Sequence, residues 1–209
     1  RQTRPGDLFV AMAGFATDGH KYISAAVERG AVCILCQTPP EGDIPYIQVE
    51  NSRRALAVVG ANFFHHPTRE MTMVGVTGTN GKTTTTYLLK DILEHAAGAK
   101  VGLIGTNQNM IGDQVLHTER TTPESFEVQK LFREMADAGC THVVMEVSSH
   151  ALSLDRVYGV RYAVGVFTNL TQDHLTSMAP WRHTVMPRRF YFRTAMWASI
   201  MPTTRGRSA

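Results

Sequence analysis

The sequence predicts an α/β protein in two parts. A small α/β unit covers residues 1–68, and a larger unit with a mostly parallel sheet flanked by helices covers residues 69–175. Three observations carry this. Short apolar runs of strand length alternate with stretches of helical periodicity, the order that builds parallel sheets with crossovers. One of those runs breaks into a glycine turn and restarts at once as a helix, at residues 78–82. Apolar residues make up 43% of the 209, enough for a substantial core.

In the first part, Asp7 to Ala11 reads as a strand. Asp18-Gly19-His20 reads as a turn. Tyr22 to Arg29 reads as a helix with Tyr22, Ala25, Ala26 and Arg29 on one side, closed by Gly30 as a C-cap. Ala31 to Cys36 is a second strand and Tyr46 to Val49 a third, with the Pro39-Pro40-Glu41-Gly42 loop between them. Asn51 or Ser52 caps a helix from Arg53 to Phe64, which stops before Pro67. Cys33 and Cys36 form a C-x-x-C, but strand alternation sends them to opposite faces. They are therefore read as small buried hydrophobes and not as a disulfide or metal pair.

In the second part, Met73-Val74-Gly75-Val76, Val101 to Gly105, Val143 to Val147 and Ala163 to Phe167 are buried strands. Gln114 to His117 reads as a hairpin arm. Thr122 is expected as the N-cap of a helix with Pro123 in its first position. Val128, Leu131, Phe132 and Met135 form that helix's apolar stripe, and Gly139 ends it.

The stretch TMVGVTGTNGKTTTT, residues 72–86, has the layout of a phosphate-binding loop: strand, glycine turn, Lys-Thr, helix. Gly78 and Gly81 let backbone N–H groups of Thr79, Asn80 and their neighbours turn toward an anion. The helix start at Lys82, Thr83 and Thr84 aims free N–H groups at the same point. Lys82 reaches the outer phosphates, and the Thr83 hydroxyl is suited to Mg²⁺. Val76 stands where the usual motif has its first glycine. Glu146, closing an apolar strand, is the acidic residue placed to reach that Mg²⁺.

The remaining composition narrows the classes. No apolar run approaches the roughly 18 residues of a membrane-spanning helix, and the first residues lack the apolar core of a secretion signal. A cytoplasmic protein without membrane insertion is expected. The net charge of +3 is a property of residues 176–209, which hold six arginines and no Asp, Glu or Lys. It is therefore no argument for nucleic-acid binding.

TGTNGKTTT resembles the ATP loop of the Mur ligases, the ATP-dependent amide-forming enzymes of peptidoglycan synthesis. The string MEVSSHAL, residues 145–152, resembles the MurE-type branch, which adds the third residue of the peptide stem. PGDLFVAMAGFATDGHKYISAAVERGAV resembles the family's N-terminal domain, which holds the uridine nucleotide. The resemblance implies ATP and Mg²⁺ as cofactors. UDP-MurNAc-L-Ala-D-Glu and a diamino acid, meso-diaminopimelate or L-lysine, are the implied substrates. A monomer is implied. Lys82, Glu146 and His174 take catalytic roles, with Thr83, Glu146 and His174 at the metals. Thr121, Thr122, Ser148 and Arg156 hold the nucleotide-peptide. His174 lies in TNLTQDHL, which resembles the family's T-N-L-x-x-D-H-L. Leu154 stands where the family often has Gln. Folylpolyglutamate and cyanophycin synthetases are relatives that MEVSSHAL and the Thr-Thr-Pro segment argue against. A nucleotide-binding remnant without catalysis is the other class considered.

The resemblance ends after Leu175. A one-nucleotide shift in an allowed coding of Met178 to Arg189 yields HGTMEAYGDAKA, which fits the family's continuation H-G-x-M-x-x-Y-x-x-A-K. Residues 176–209 are therefore expected to be an out-of-frame, unstructured tail. The family's C-terminal domain and the lysine that becomes carbamylated are then missing, so these residues alone are expected to form no ligase product.

Overall fold

The computed structural model describes residues 3–14, 17–169 and 196–199. Their contacts divide the chain into two compact units, Arg1–Val59 and Gly60–Ala209.

The first unit holds a three-stranded parallel sheet in the order β1-β2-β3, from Leu8–Val10, Cys33–Cys36 and Tyr46–Gln48. A 3₁₀ turn, Gly19–Tyr22, leads into α1, Ile23–Glu28. Its buried residues are Ile23 and Ala26, whereas Tyr22, placed on the inner side by the sequence, is exposed. The 3₁₀ turn ahead of the helix advances the phase of the face, so Ile23 takes the core position. Ile34 and Cys36 pack on Ile23, Ala26 and Ala11, and Cys33 lies on the opposite face. All three cysteines are free thiols.

The helix α2, Ser52–Phe63, starts under an Asn51 cap: Asn51 Oδ1 accepts from the N–H groups of Arg53 and Arg54 at 3.0 and 3.1 Å. The division between the units falls inside α2, nearer the N-terminus than residue 68. Its last four residues belong to the second unit, within which Phe63 and Phe64 meet Phe126 with ring centroids 5.9 and 5.1 Å apart.

In the second unit, β4 is Thr72–Thr77, β5 Val101–Ile104, β6 Asn109–Ile111, β7 Gln114–Leu116, β8 His142–Glu146, β9 Val164–Phe167 and β10 Met196–Ser199. The sheet order is β10-β9-β4-β8-β5-β6-β7. Pairing is parallel from β10 to β5 and antiparallel through β6 and β7. The sequence analysis expects no element in residues 176–209, yet β10 continues the sheet beside β9.

Each sheet face is covered by a helix. On one, Leu89 and Leu93 of α3, Lys82–Ala97, pack with Val74, Val76, Val101, Val144 and Val166. On the other, Val128, Leu131, Phe132 and Met135 of α4, Ser125–Asp137, pack on Met73, Ile104, Val143 and Met145. The α4 stripe read from the sequence is thus the buried one, while in α3 Leu88 points to solvent. Gly102 lets α4 approach closely: a Cβ there would lie 2.5 Å from Met135 Sδ. The short α5, Ser149–Ser153, follows β8.

Because β4, β5, β8 and β9 run parallel, their carboxyl ends gather at one edge of the sheet. That edge is where open α/β sheets place their ligand sites.

Candidate functional site

The loop after β4 is set by its two glycines. Gly78 has φ +146° and Gly81 φ +82°, and α3 begins at Lys82 with Gly81 as its N-cap. Gly78 answers a second need besides backbone freedom. A Cβ there would come within 2.0 Å of Thr168 Oγ1, at the end of β9. Lys82 folds back over the loop, and its Nζ donates to Gly78 O and Thr79 O at 3.0 Å each. Asn80, Gly81 and Thr84 are exposed, and Lys82 and Thr83 half-buried. The first turn of α3 therefore opens onto solvent at the loop.

Two residues to which the sequence analysis gives no role, Thr168 and Asn169, hold this loop. Thr168 Oγ1 donates to Asn80 O at 2.6 Å. The Asn169 carboxamide accepts from Asn80 N at 2.9 Å and donates to Asn80 O at 3.1 Å. Asn169 O accepts from Thr79 N at 3.0 Å. They open the string TNLTQDHL, in which the resemblance assigns a role only to His174.

Glu146 ends β8 in register with Val76 of β4, two residues before Gly78. Alternation gives it the same face as Val144, the face that α3 covers. It is wholly buried. Thr106 N donates to Oε1 at 3.0 Å and Thr106 Oγ1 donates to Oε2 at 2.9 Å. Among the described residues no cationic side chain pairs with this carboxylate, a costly state for a buried anion. Thr106 follows the end of β5 and was not anticipated from the sequence.

The four residues grouped by resemblance gather around this strand end. Thr121 Oγ1 lies 3.0 Å from Thr106 Oγ1. Thr122 does not cap α4, as the sequence suggests. Glu124 is the N-cap, in a reciprocal capping box with Glu127. The Thr122 hydroxyl is engaged across the sheet instead: it donates to Glu146 O at 2.9 Å and accepts from Ser148 N at 3.3 Å. Ser148 Oγ caps α5 by accepting from Ala151 N at 3.1 Å. Arg156 follows Asp155, a non-glycine residue at φ +54°. Its Nη1 donates to Thr122 O at 3.1 Å and its Nη2 pairs with Glu124 Oε1 at 2.8 Å. His174 lies outside the described residues. No group of three or more His, Cys, Asp or Glu side chains suited to a metal occurs among the described residues.

Within the first unit, a concavity is bordered by Thr3, Met12, Gly14, Thr17, Tyr22 and Arg53. No described helix is long and apolar enough to cross a membrane.

Strand, glycine loop and helix on a mostly parallel sheet place the second unit among phosphate-loop α/β proteins. Residues 76–180 match the Mur ligase middle domain, and residues 1–64 match the model described as Mur ligase family, catalytic domain. The chain belongs to the Mur ligase family. It is 52% identical over 180 residues to the UDP-N-acetylmuramoyl-L-alanyl-D-glutamate–2,6-diaminopimelate ligase of Clostridium tetani, covering 84% of this chain and 37% of that protein. The like-named ligase of Caldanaerobacter subterraneus is 44% identical over 203 residues, covering 96% of this chain and 42% of that one. The chain thus spans about two fifths or less of the length of the curated relatives it matches. Among solved structures, a ligase of the same name superposes with a TM-score of 0.78 at 23% identity, over 94% of this chain and 40% of that one. The MurF ligase of Thermotoga maritima, solved with ADP, superposes with a TM-score of 0.58 at 23% identity, over 90% and 40% of the two chains. These two likenesses bear on the fold.

Proposed function

We propose that this chain carries the nucleotide-binding and UDP-substrate-binding elements of a Mur ligase. The proposed reaction is ATP-dependent addition of diaminopimelate to UDP-MurNAc-L-Ala-D-Glu. The relatives' names support diaminopimelate over lysine. The D-Glu side-chain carboxylate attacks the γ-phosphorus of ATP and releases ADP. The amine of the diamino acid then attacks the resulting acyl phosphate, forming the amide and releasing phosphate.

The single observation behind this reading is the juxtaposition of the glycine loop at the end of β4 with the buried carboxylate of Glu146 on the neighbouring strand, a carboxylate that no cationic side chain among the described residues pairs with. The exposed start of α3 is suited to the phosphates, with Gly78 and Gly81 shaping the loop and the N–H groups of Lys82, Thr83 and Thr84 turned to the anion. The Lys82 ammonium, held over the loop, is close enough to share its protons with a phosphate. Glu146 and the Thr83 hydroxyl fit Mg²⁺, which takes one or two protein carboxylates beside phosphate oxygens and water. When bound, that ion neutralises the charge that develops on the transferred phosphoryl group. His174 is proposed as a ligand of a second Mg²⁺.

Thr121, Thr122, Ser148 and Arg156 are proposed to receive the nucleotide-peptide. Arg156 offers a planar fork for a carboxylate, and Glu124 holds it in place. The concavity of the first unit is proposed for the uridine nucleotide. The protein is proposed to act as a cytoplasmic monomer, binding small molecules and no nucleic acid. The out-of-frame reading of residues 176–209 belongs to the same proposal, and sequencing the encoding DNA past codon 175 decides it.

The test is incubation of the chain with UDP-MurNAc-L-Ala-D-Glu, ATP, Mg²⁺ and either diaminopimelate or lysine, read by mass spectrometry, alongside equilibrium titration with fluorescent ADP. Saturable Mg²⁺-dependent ADP binding is expected. Absence of binding, or a product with lysine alone, would overturn the corresponding part.

A further inference from the structure

We propose that Asn169 is the positioning residue of the phosphate loop, acting as a backbone mimic that sets the loop's shape before any nucleotide arrives. The inference rests on the nucleotide-binding reading of that loop. A carboxamide presents one acceptor and one donor side by side, as a strand's backbone does. Asn169 uses both against a single residue, taking Asn80 N–H on Oδ1 and giving Nδ2–H to Asn80 O. Its backbone oxygen takes Thr79 N–H, and Thr168 N donates to Thr77 O at 2.9 Å. The ladder between β9 and β4 is thereby carried past the end of β4 into the loop.

Work within the loop is divided as a result. The N–H groups of Thr79 and Asn80 are committed to Asn169, so they shape the loop. The anion is left to the N–H groups from Gly81 through the first turn of α3 and to Lys82. Asn169 touches no phosphate in this account. It acts by holding Asn80, and hence Gly81, in the binding conformation, which spares the ordering cost on binding.

The experiment uses the 209-residue chain, amide hydrogen exchange without nucleotide, and titration with fluorescent ADP and Mg²⁺. In wild type, the Asn80 amide is expected to exchange slowly although the residue is exposed. Asn169→Ala should speed that exchange about tenfold or more and leave the Val74 amide in β4 unchanged. It should also weaken ADP binding about tenfold, the equivalent of about 1.4 kcal/mol. Asn169→Leu fills about the same space but offers neither the acceptor for Asn80 N–H nor the donor to Asn80 O, and should exchange as fast as the alanine variant, which a merely space-filling role would not do. Exchange at Asn80 as slow in the alanine variant as in wild type, or unchanged ADP affinity, would overturn the proposal. Should the alanine variant not fold, slow Asn80 exchange in Asn169→Leu overturns it and fast exchange supports it. Slow exchange in a wild-type chain that binds no ADP would instead sink the nucleotide reading.

Discussion

Thr106 holds both oxygens of Glu146, one through its backbone N–H and the other through its hydroxyl. A fully buried carboxylate is thus kept in one orientation by a neutral residue from the neighbouring strand end. Each carboxylate oxygen retains a lone pair for a further partner. Thr106→Val removes the hydroxyl at nearly constant shape. We expect it to weaken Mg²⁺-dependent ADP binding several-fold, and to cost about 1.5–3 kcal/mol of stability for the lost hydrogen bond to a charged group. Thr106→Ser should restore both. Titrations with and without Mg²⁺ check this, and an unchanged Mg²⁺ increment in the valine variant would refute it.

Lys82→Ala removes the ammonium that lies over Gly78 O and Thr79 O. ADP affinity should fall about tenfold or more, the scale of a charge-assisted contact. The thermal midpoint of the nucleotide-free chain should change little, because Lys82 is only half-buried. Equal affinity in wild type and variant would remove the phosphate-loop assignment.

Phe132 is fully buried where α4 meets the sheet, among Met73, Val143 and Met145. Phe132→Ala should destabilise the second unit by about 3–5 kcal/mol through lost burial and a residual cavity. Urea denaturation followed by circular dichroism measures it. A loss below about 1 kcal/mol would contradict the core placement.

Glu70 accepts both arms of the Arg133 guanidinium, at 2.7 and 3.0 Å. The hydrogen bonds from Arg133 hold its carboxyl below the ordinary glutamate value. A depressed carboxylate contributes stability above its unfolded pKa and loses it as pH falls through the folded value. The stability gap between wild type and Glu70→Gln should therefore be widest near neutrality and close on acidification. Its size should be small, because the pair is solvent-exposed and screened. Denaturation midpoints across pH 2–7 test it, and a gap that widens in acid would refute it.

The core was legible where pattern and burial coincide. Val74 and Val76, the β8 run and the Val128-Leu131-Phe132-Met135 stripe lie where their periodicities place them. The glycine loop was legible because Gly78 and Gly81 satisfy a backbone requirement written locally. What escaped depends on distant partners. Thr122-Pro123 has every local mark of a helix start, yet its hydroxyl is taken by Glu146 and Ser148, some 24 and 26 residues on, and the capping box at Glu124 sets the start instead. Thr106 meets Glu146 across 40 residues, and Asn169 meets Asn80 across 89. No local period encodes such pairs. In α1, the unforeseen 3₁₀ turn moved the inner face from Tyr22 to Ile23.

The span between Asn80 and Asn169 also orders events in time. A chain made from its N-terminus completes its phosphate loop long before the residue that shapes it has been added. Until β9 has emerged and docked beside β4, Asn80 has neither its donor nor its acceptor partner. The nascent protein is therefore expected to hold nucleotide only weakly for the length of that interval. A ribosome-bound series of increasing length should show its ADP affinity rise about tenfold or more in one step, at the point where Asn169 clears the exit tunnel.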